Sequence, residues 1–176
     1  MTVAVTGRAA REQHDALAHG VLFVHACPRA LAPHVDWALS AVFGTEVRLA
    51  WEQQSIVPGH SQASAVWTDA PGTASKVASA LRPFTPLRFE ITEDPSAGRD
   101  GERFAVTPNL GLFRATMGRH GDVMVHEDRI RQLLTDPDPN VLELISRLIG
   151  TPWDDELEPF RAGHGPSTVR LLHQVV

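Results

Sequence analysis

Four apolar residues in a row, Val21-Leu22-Phe23-Val24, predict a strand over 21–25 that is covered on both faces. Cys27-Pro28 ends it, because proline cannot continue a ladder. Val35, Ala38, Leu39, Val42 and Phe43 recur at helical spacing and predict a helix over 33–43. Pro33 suits its first turn and Gly44 its exit. Apolar and polar residues alternate over 47–51 and form a further run over 63–67, so both read as strands, with the Pro58-Gly59 turn between them. Ala74, Val77, Ala78 and Leu81 predict a second helix over 74–81. Leu87, Phe89 and Ile91 alternate with polar residues, which predicts a strand over 87–91. Strand–helix–strand–strand–helix–strand is the order of a ferredoxin-like, split-βαβ core with an antiparallel sheet.

Beyond this core, alternation over 104–106, 110–117 and 123–125 predicts a β-meander, with Gly111 expected as a bulge. The last third reads as helical. Glu127 and Asp128 open one stripe (Ile130, Leu133, Leu134), Asp138-Pro139 opens a second (Val141, Leu144, Ile145, Leu148), and Thr151-Pro152 a third. The expected fold class is therefore α+β: a ferredoxin-like βαββαβ core, a β-meander extension and a helical C-terminus. Residues 1–19 read as an N-terminal arm, frayed or carrying a short helix, and 20–176 as a single α+β domain.

Composition narrows the function classes. The chain has 176 residues, 43% hydrophobic and 21% charged, as ordinary globular proteins do. No apolar run is long enough to span a bilayer, and the first twenty residues lack the apolar core of a secretory signal. Cys27 is the only cysteine, so no internal disulfide forms, and a cytoplasmic location is expected. A net charge of −5 without a long basic cluster argues against a nucleic-acid partner. No membrane partner is expected either.

Residues 24–34 (VHACPRALAPH), 87–96 (LRFEITEDPS), 150–161 (GTPWDDELEPFR) and 169–176 (VRLLHQVV) resemble the actinobacterial domain-of-unknown-function family 3145. The resemblance covers about residues 20–176. It carries no activity and no catalytic residue. The genes of that family often lie beside fatty-acid synthesis genes, so the resemblance implies a link to lipid metabolism.

Four constellations could carry chemistry. His25, Cys27, Arg29 and His34 surround a strand-to-helix loop, where an arginine and a helix N-terminus both favour an anion. His25 and Cys27 fall on the same side of an extended strand. Trp37 lies close enough to report on that loop. The candidate ligand-binding set is His25, Arg29, His34 and Trp37, with Cys27 read as a buried, slowly reacting thiol. Glu90 and Glu93 straddle a strand end and read as a salt-bridged surface, with shared acid–base work the alternative. Trp153, Asp155 and Glu158 form a candidate partner-docking face. The nine histidines lack metal-ligand spacing, so neither a metal nor a cofactor is expected. The leading reading is a cytoplasmic accessory or regulatory protein that binds a small anionic ligand or a protein partner, with homodimerisation an option. The alternative is a small enzyme using His25, Arg29 and His34 on an acyl or anionic substrate.

Overall fold

Alternation along the strands sorts the sheet into one face that is almost wholly apolar and one that mixes apolar with charged groups, and each face recruits its own helices. The computed structural model describes residues 1–8, 17–96, 98–135 and 140–162. The strands are β1 (Thr2–Thr6), β2 (Ala18–Pro28), β3 (Glu52–Gln53), β4 (His60–Asp69), β5 (Arg88–Glu93), β6 (Gly101–Thr107), β7 (Gly111–Met117) and β8 (Val123–Met124). The helices are α1 (Ala32–Phe43), α2 (Thr73–Leu81), α3 (Glu127–Thr135), α4 (Val141–Ile149) and α5 (Thr151–Ala162), and a 3₁₀ turn (Arg29–Leu31) precedes α1. Together they make a mixed α/β fold around an open eight-stranded, mostly antiparallel sheet of order β1-β4-β2-β5-β6-β7-β8, with β3 also on β4. Residues Thr2–Thr6, read from sequence as part of an arm, lie in the sheet and pair in parallel with β4.

The main core lies between the sheet and the first two helices. Val35 and Leu39 of α1, with Val77 and Leu81 of α2, pack on Leu22, Val24, Phe89, Ile91, Phe104 and Val106. Both helices therefore cover one face, as their stripes predict. Glu93 fixes the entry of α2: its carboxylate accepts the Gly72 and Ala74 N–H groups at 2.7 and 3.0 Å.

Three local expectations are corrected. Residues 47–51 alternate in burial but form no strand. The side chains of α1 take over their backbone: Ser40 Oγ accepts the Val47 N–H at 2.9 Å, and Asp36 Oδ1 accepts the Leu49 N–H at 3.2 Å. The strand of that hairpin is only Glu52–Gln53. Gly111 is not a bulge, because β6 and β7 pair in unbroken register from Gly101↔Met117 to Thr107↔Gly111; its φ of 72° serves the turn. The bulge lies instead in β2, whose register shifts after Val24 against both neighbours. The extra residue puts His25 on the mixed face and Cys27 in the core under α1, so the two are not on the same side.

The mixed face is covered by α5, where Trp153 and Leu157 pack on Ala105, Phe113 and Ala115. Gly150 links α4 to α5 with φ of 89°, and a Cβ there would come within 2.6 Å of the Phe113 ring. Gly150→Ala is therefore expected to cost about 1–3 kcal/mol, the range for non-glycine residues in that region, plus displacement of Phe113. A urea midpoint equal to wild type would mean that this joint is not anchored on β7. The Asp138-Pro139 start signal lies outside the described residues; α4 itself begins after Asn140. No helix among the described residues is long and apolar enough to cross a membrane.

Candidate functional site

Where α5 crosses the mixed face, two carboxylates and two guanidinium groups alternate around a closed ring. Glu90 projects from β5, Arg103 from the neighbouring β6, and Asp154 and Arg161 from two turns of α5. Glu90 Oε1 accepts Arg161 Nη2 at 2.6 Å and Arg103 Nη2 at 2.7 Å. Glu90 Oε2 accepts Arg161 Nε at 2.9 Å and His25 Nε2 at 2.8 Å. Asp154 closes the ring, accepting Arg161 Nη2 at 2.7 Å and pairing with Arg103. His25 and Glu90 are each 1% exposed and Arg161 is 2% exposed.

Burial alone would push the Glu90 carboxyl up. The hydrogen bonds and charges of His25 and Arg161 outweigh it and hold Glu90 well below the usual carboxylate range. Burial likewise works against the charge on Arg103 and Arg161, yet Asp154 and Glu90 hold both above the ordinary arginine value. Four donors fill the four acceptor positions of Glu90. The ring thus ties α5 to three strands and has no lone pair of Glu90 left for a substrate. A second polar anchor lies beside it, where Glu156 accepts Thr107 Oγ1 at 2.9 Å and Asn109 Nδ2 at 3.0 Å.

These contacts relocate the sequence candidates. His25 is sealed under α5. Arg29, His34 and Trp37 are exposed on the 3₁₀ turn and α1, the layer on the opposite side of the sheet. The four do not converge, and Trp37, at 72% exposure, is open to solvent. Glu90 is ion-paired in the interior rather than at the surface, and Glu93 points to the other face as the cap of α2. Trp153 is buried, its Nε1–H donating to the Gly111 carbonyl at 3.0 Å. Asp155 is exposed, and Glu158 lies 3.3 Å from Arg161 at the rim of the ring. No group of three or more metal-ligating side chains gathers among the described residues.

Cys27 is fully buried, and its Sγ donates to the Pro28 carbonyl at 3.3 Å. Burial, with a smaller effect from Asp36, pushes the thiol up to about 12. Native Cys27 should react with a thiol reagent at least about a hundredfold more slowly than in the unfolded chain, because attack must wait for local opening. Equal native and unfolded rates would show an accessible thiolate and overturn this assignment.

A concave feature follows the far side of β7. β8 pairs with β7 only at Thr116 and Met117, leaving a groove of about 750 Å³ beside the rest of that strand. Its apolar lining includes Leu112, Phe113, Leu148 and Trp153. Arg114, His126, Arg129 and Arg147 stand around it, and no carboxylate lines it among the described residues. Arg114 pairs with Glu102, and Arg147 lies 3.5 Å from Glu143. Above it, α3 and α4 carry exposed apolar side chains, with Leu134 at 76% and Leu142 at 79%. No spacing in the sequence marks this site, because it joins a strand edge to two helices that follow later in the chain.

No curated protein and no solved structure matches the chain. A family described as Protein of unknown function (DUF3145) matches residues 21–174. That span is most of the chain, and the chain belongs to this family.

Proposed function

We propose that this is a cytoplasmic accessory or regulatory protein that binds an anionic ligand in the groove beside β7. One observation carries the reading: three arginines and a histidine line a partly apolar groove with no carboxylate among its described residues, in a chain whose net charge is −5. A local reversal of sign of that kind favours an anion and speeds its approach. Guanidinium groups add directional pairing with carboxylate or phosphate. The order β3-β4-β2-β5, with α1 and α2 on one face, supports a ferredoxin-like core over 18–93. Such cores host unrelated activities, so the functional argument rests on the groove.

Isothermal titration with inorganic phosphate, citrate, an acyl-coenzyme A and oligoglutamate tests the reading, including the link to fatty-acid metabolism. At least one of these anions should bind saturably and more weakly as salt rises. In Arg129→Gln/Arg147→Gln the affinity should fall about tenfold or more. The melting temperature should hold, since both side chains are exposed. No binding across the panel, or equal affinity in the variant, would overturn it.

A further inference from the structure

We infer that the occupant of this groove is an extended acidic peptide that adds a strand to the open edge of β7; the inference rests on the anion-binding reading and names its ligand. β7 is paired with β6 along its whole length. On its other side, among the described residues, a strand partner is present only at Thr116 and Met117. Leu112–Ala115 therefore offer about 13 Å of one-sided strand, with alternate residues turning backbone N–H and C=O groups outward. Sheet edges are ordinarily blunted by a bulge, a proline, very short length or charged side chains. Of these β7 has only the charge of Arg114: it is seven residues long, in unbroken register, and contains no proline.

The edge does not open into bulk water. It faces the groove, which Met124 and Val125, the start of α3 and the end of α4 also line. Trp153 already donates to the Gly111 carbonyl, which fixes the near end and marks where a guest strand must begin. Along such a guest, alternate side chains would meet Phe113, Leu148 and Trp153 on one side and Leu112 and Arg114 on the other. That is the geometry of strand addition, in which main-chain pairing supplies affinity and the flanking pockets supply selectivity. The charge decides the chemistry of the guest. Arg129 has no ion-pair partner among the described residues, Arg147 has one only at 3.5 Å, and both border the groove. An acidic peptide can answer this rim; a basic one would be repelled.

The test uses the full chain and a short capped peptide alternating threonine and glutamate. Two backbone-methylated forms remove the N–H groups of one strand edge or of the other. The parent peptide should bind saturably and protect the Leu112–Ala115 amides that face the groove from hydrogen exchange. One methylated form should lose about tenfold or more, the effect of one or two missing hydrogen bonds, while the other stays near the parent. A control peptide with lysine in place of each glutamate should not bind, and Arg129→Gln/Arg147→Gln should weaken the parent. Equal binding of both methylated forms would mean that the groove reads charge alone and would overturn strand addition. Binding of phosphate, citrate, the acyl-coenzyme A or oligoglutamate without the parent peptide would overturn the inference and leave the anion-binding reading in place. Failure of every anion would overturn both.

Discussion

Glu90→Gln is expected to lower the unfolding free energy by about 3–5 kcal/mol, the usual loss when one partner of a buried ionic group is removed. The side chain is nearly isosteric, so packing is preserved and the charge is what changes. Arg103 and Arg161 would be left with one ring carboxylate, Asp154, between them. Arg161, at 2% exposure, cannot turn to water for compensation. The glutamine amide would also aim an N–H₂ group at donors on at least one side, because Glu90 accepts from Arg103, Arg161 and His25 at once. Urea unfolding followed by circular dichroism reads the loss. A change under about 1 kcal/mol would class the ring with exposed ion pairs, which contribute that little.

The same residue gives a pH signature. Its folded-state value lies below that of the unfolded chain. A depressed carboxyl stabilises fully above the unfolded glutamate value of about 4.3, and the contribution is lost as pH falls below that value toward the folded one. Wild type should therefore lose stability below about pH 4.3 more steeply than Glu90→Gln. Parallel acid profiles would mean that other carboxylates set the acid limit.

What the sequence made legible was periodicity, and what it hid was partnership. Leu87, Phe89 and Ile91 alternate and do share the helix-packed face; Val35, Leu39, Val77 and Leu81 do lie against it. Residues 47–51 alternate for the same reason, with Val47 and Leu49 buried, yet their backbone is satisfied by Ser40 and Asp36 instead of a neighbouring strand. The pattern reported burial and was silent on pairing. In β2 the bulge resets the alternation between Val24 and Cys27, and nothing in the residues there announces it. Alternation leaves Glu90 facing either solvent or a second layer, because its partners are invisible locally. Its two arginines lie 13 and 71 positions away, and only the crossing of α5 over β5 and β6 brings them together. The stripe of α3 is real as a pattern, but among the described residues no layer lies beneath it, and Ile130 and Leu134 stay exposed.

Phe89→Ala is expected to cost about 3–5 kcal/mol, the usual range for a buried phenylalanine. The residue precedes Glu90 on β5 and points to the opposite face, so it tests the other layer of the molecule. β5 lies between β2 and β6, and Phe89 stands opposite Val24 on one side and Val106 on the other. It is fully buried in the core that α1 and α2 close from above. Its neighbours cannot easily collapse into the space left behind. Val24 and Val106 are β-branched and stiff at χ1, and their backbones are held by ladders on both sides. Most of the ring volume should therefore persist as a cavity, which adds to the lost transfer free energy. Together with Glu90→Gln the loss would approach the whole stability of a domain, about 5–15 kcal/mol, so each variant is measured alone. The check is a fall in the urea midpoint with an unchanged slope. A loss below about 2 kcal/mol would mean that the helices settle onto the sheet to refill the gap, and that the layer under α1 and α2 is more compliant than a close-packed core.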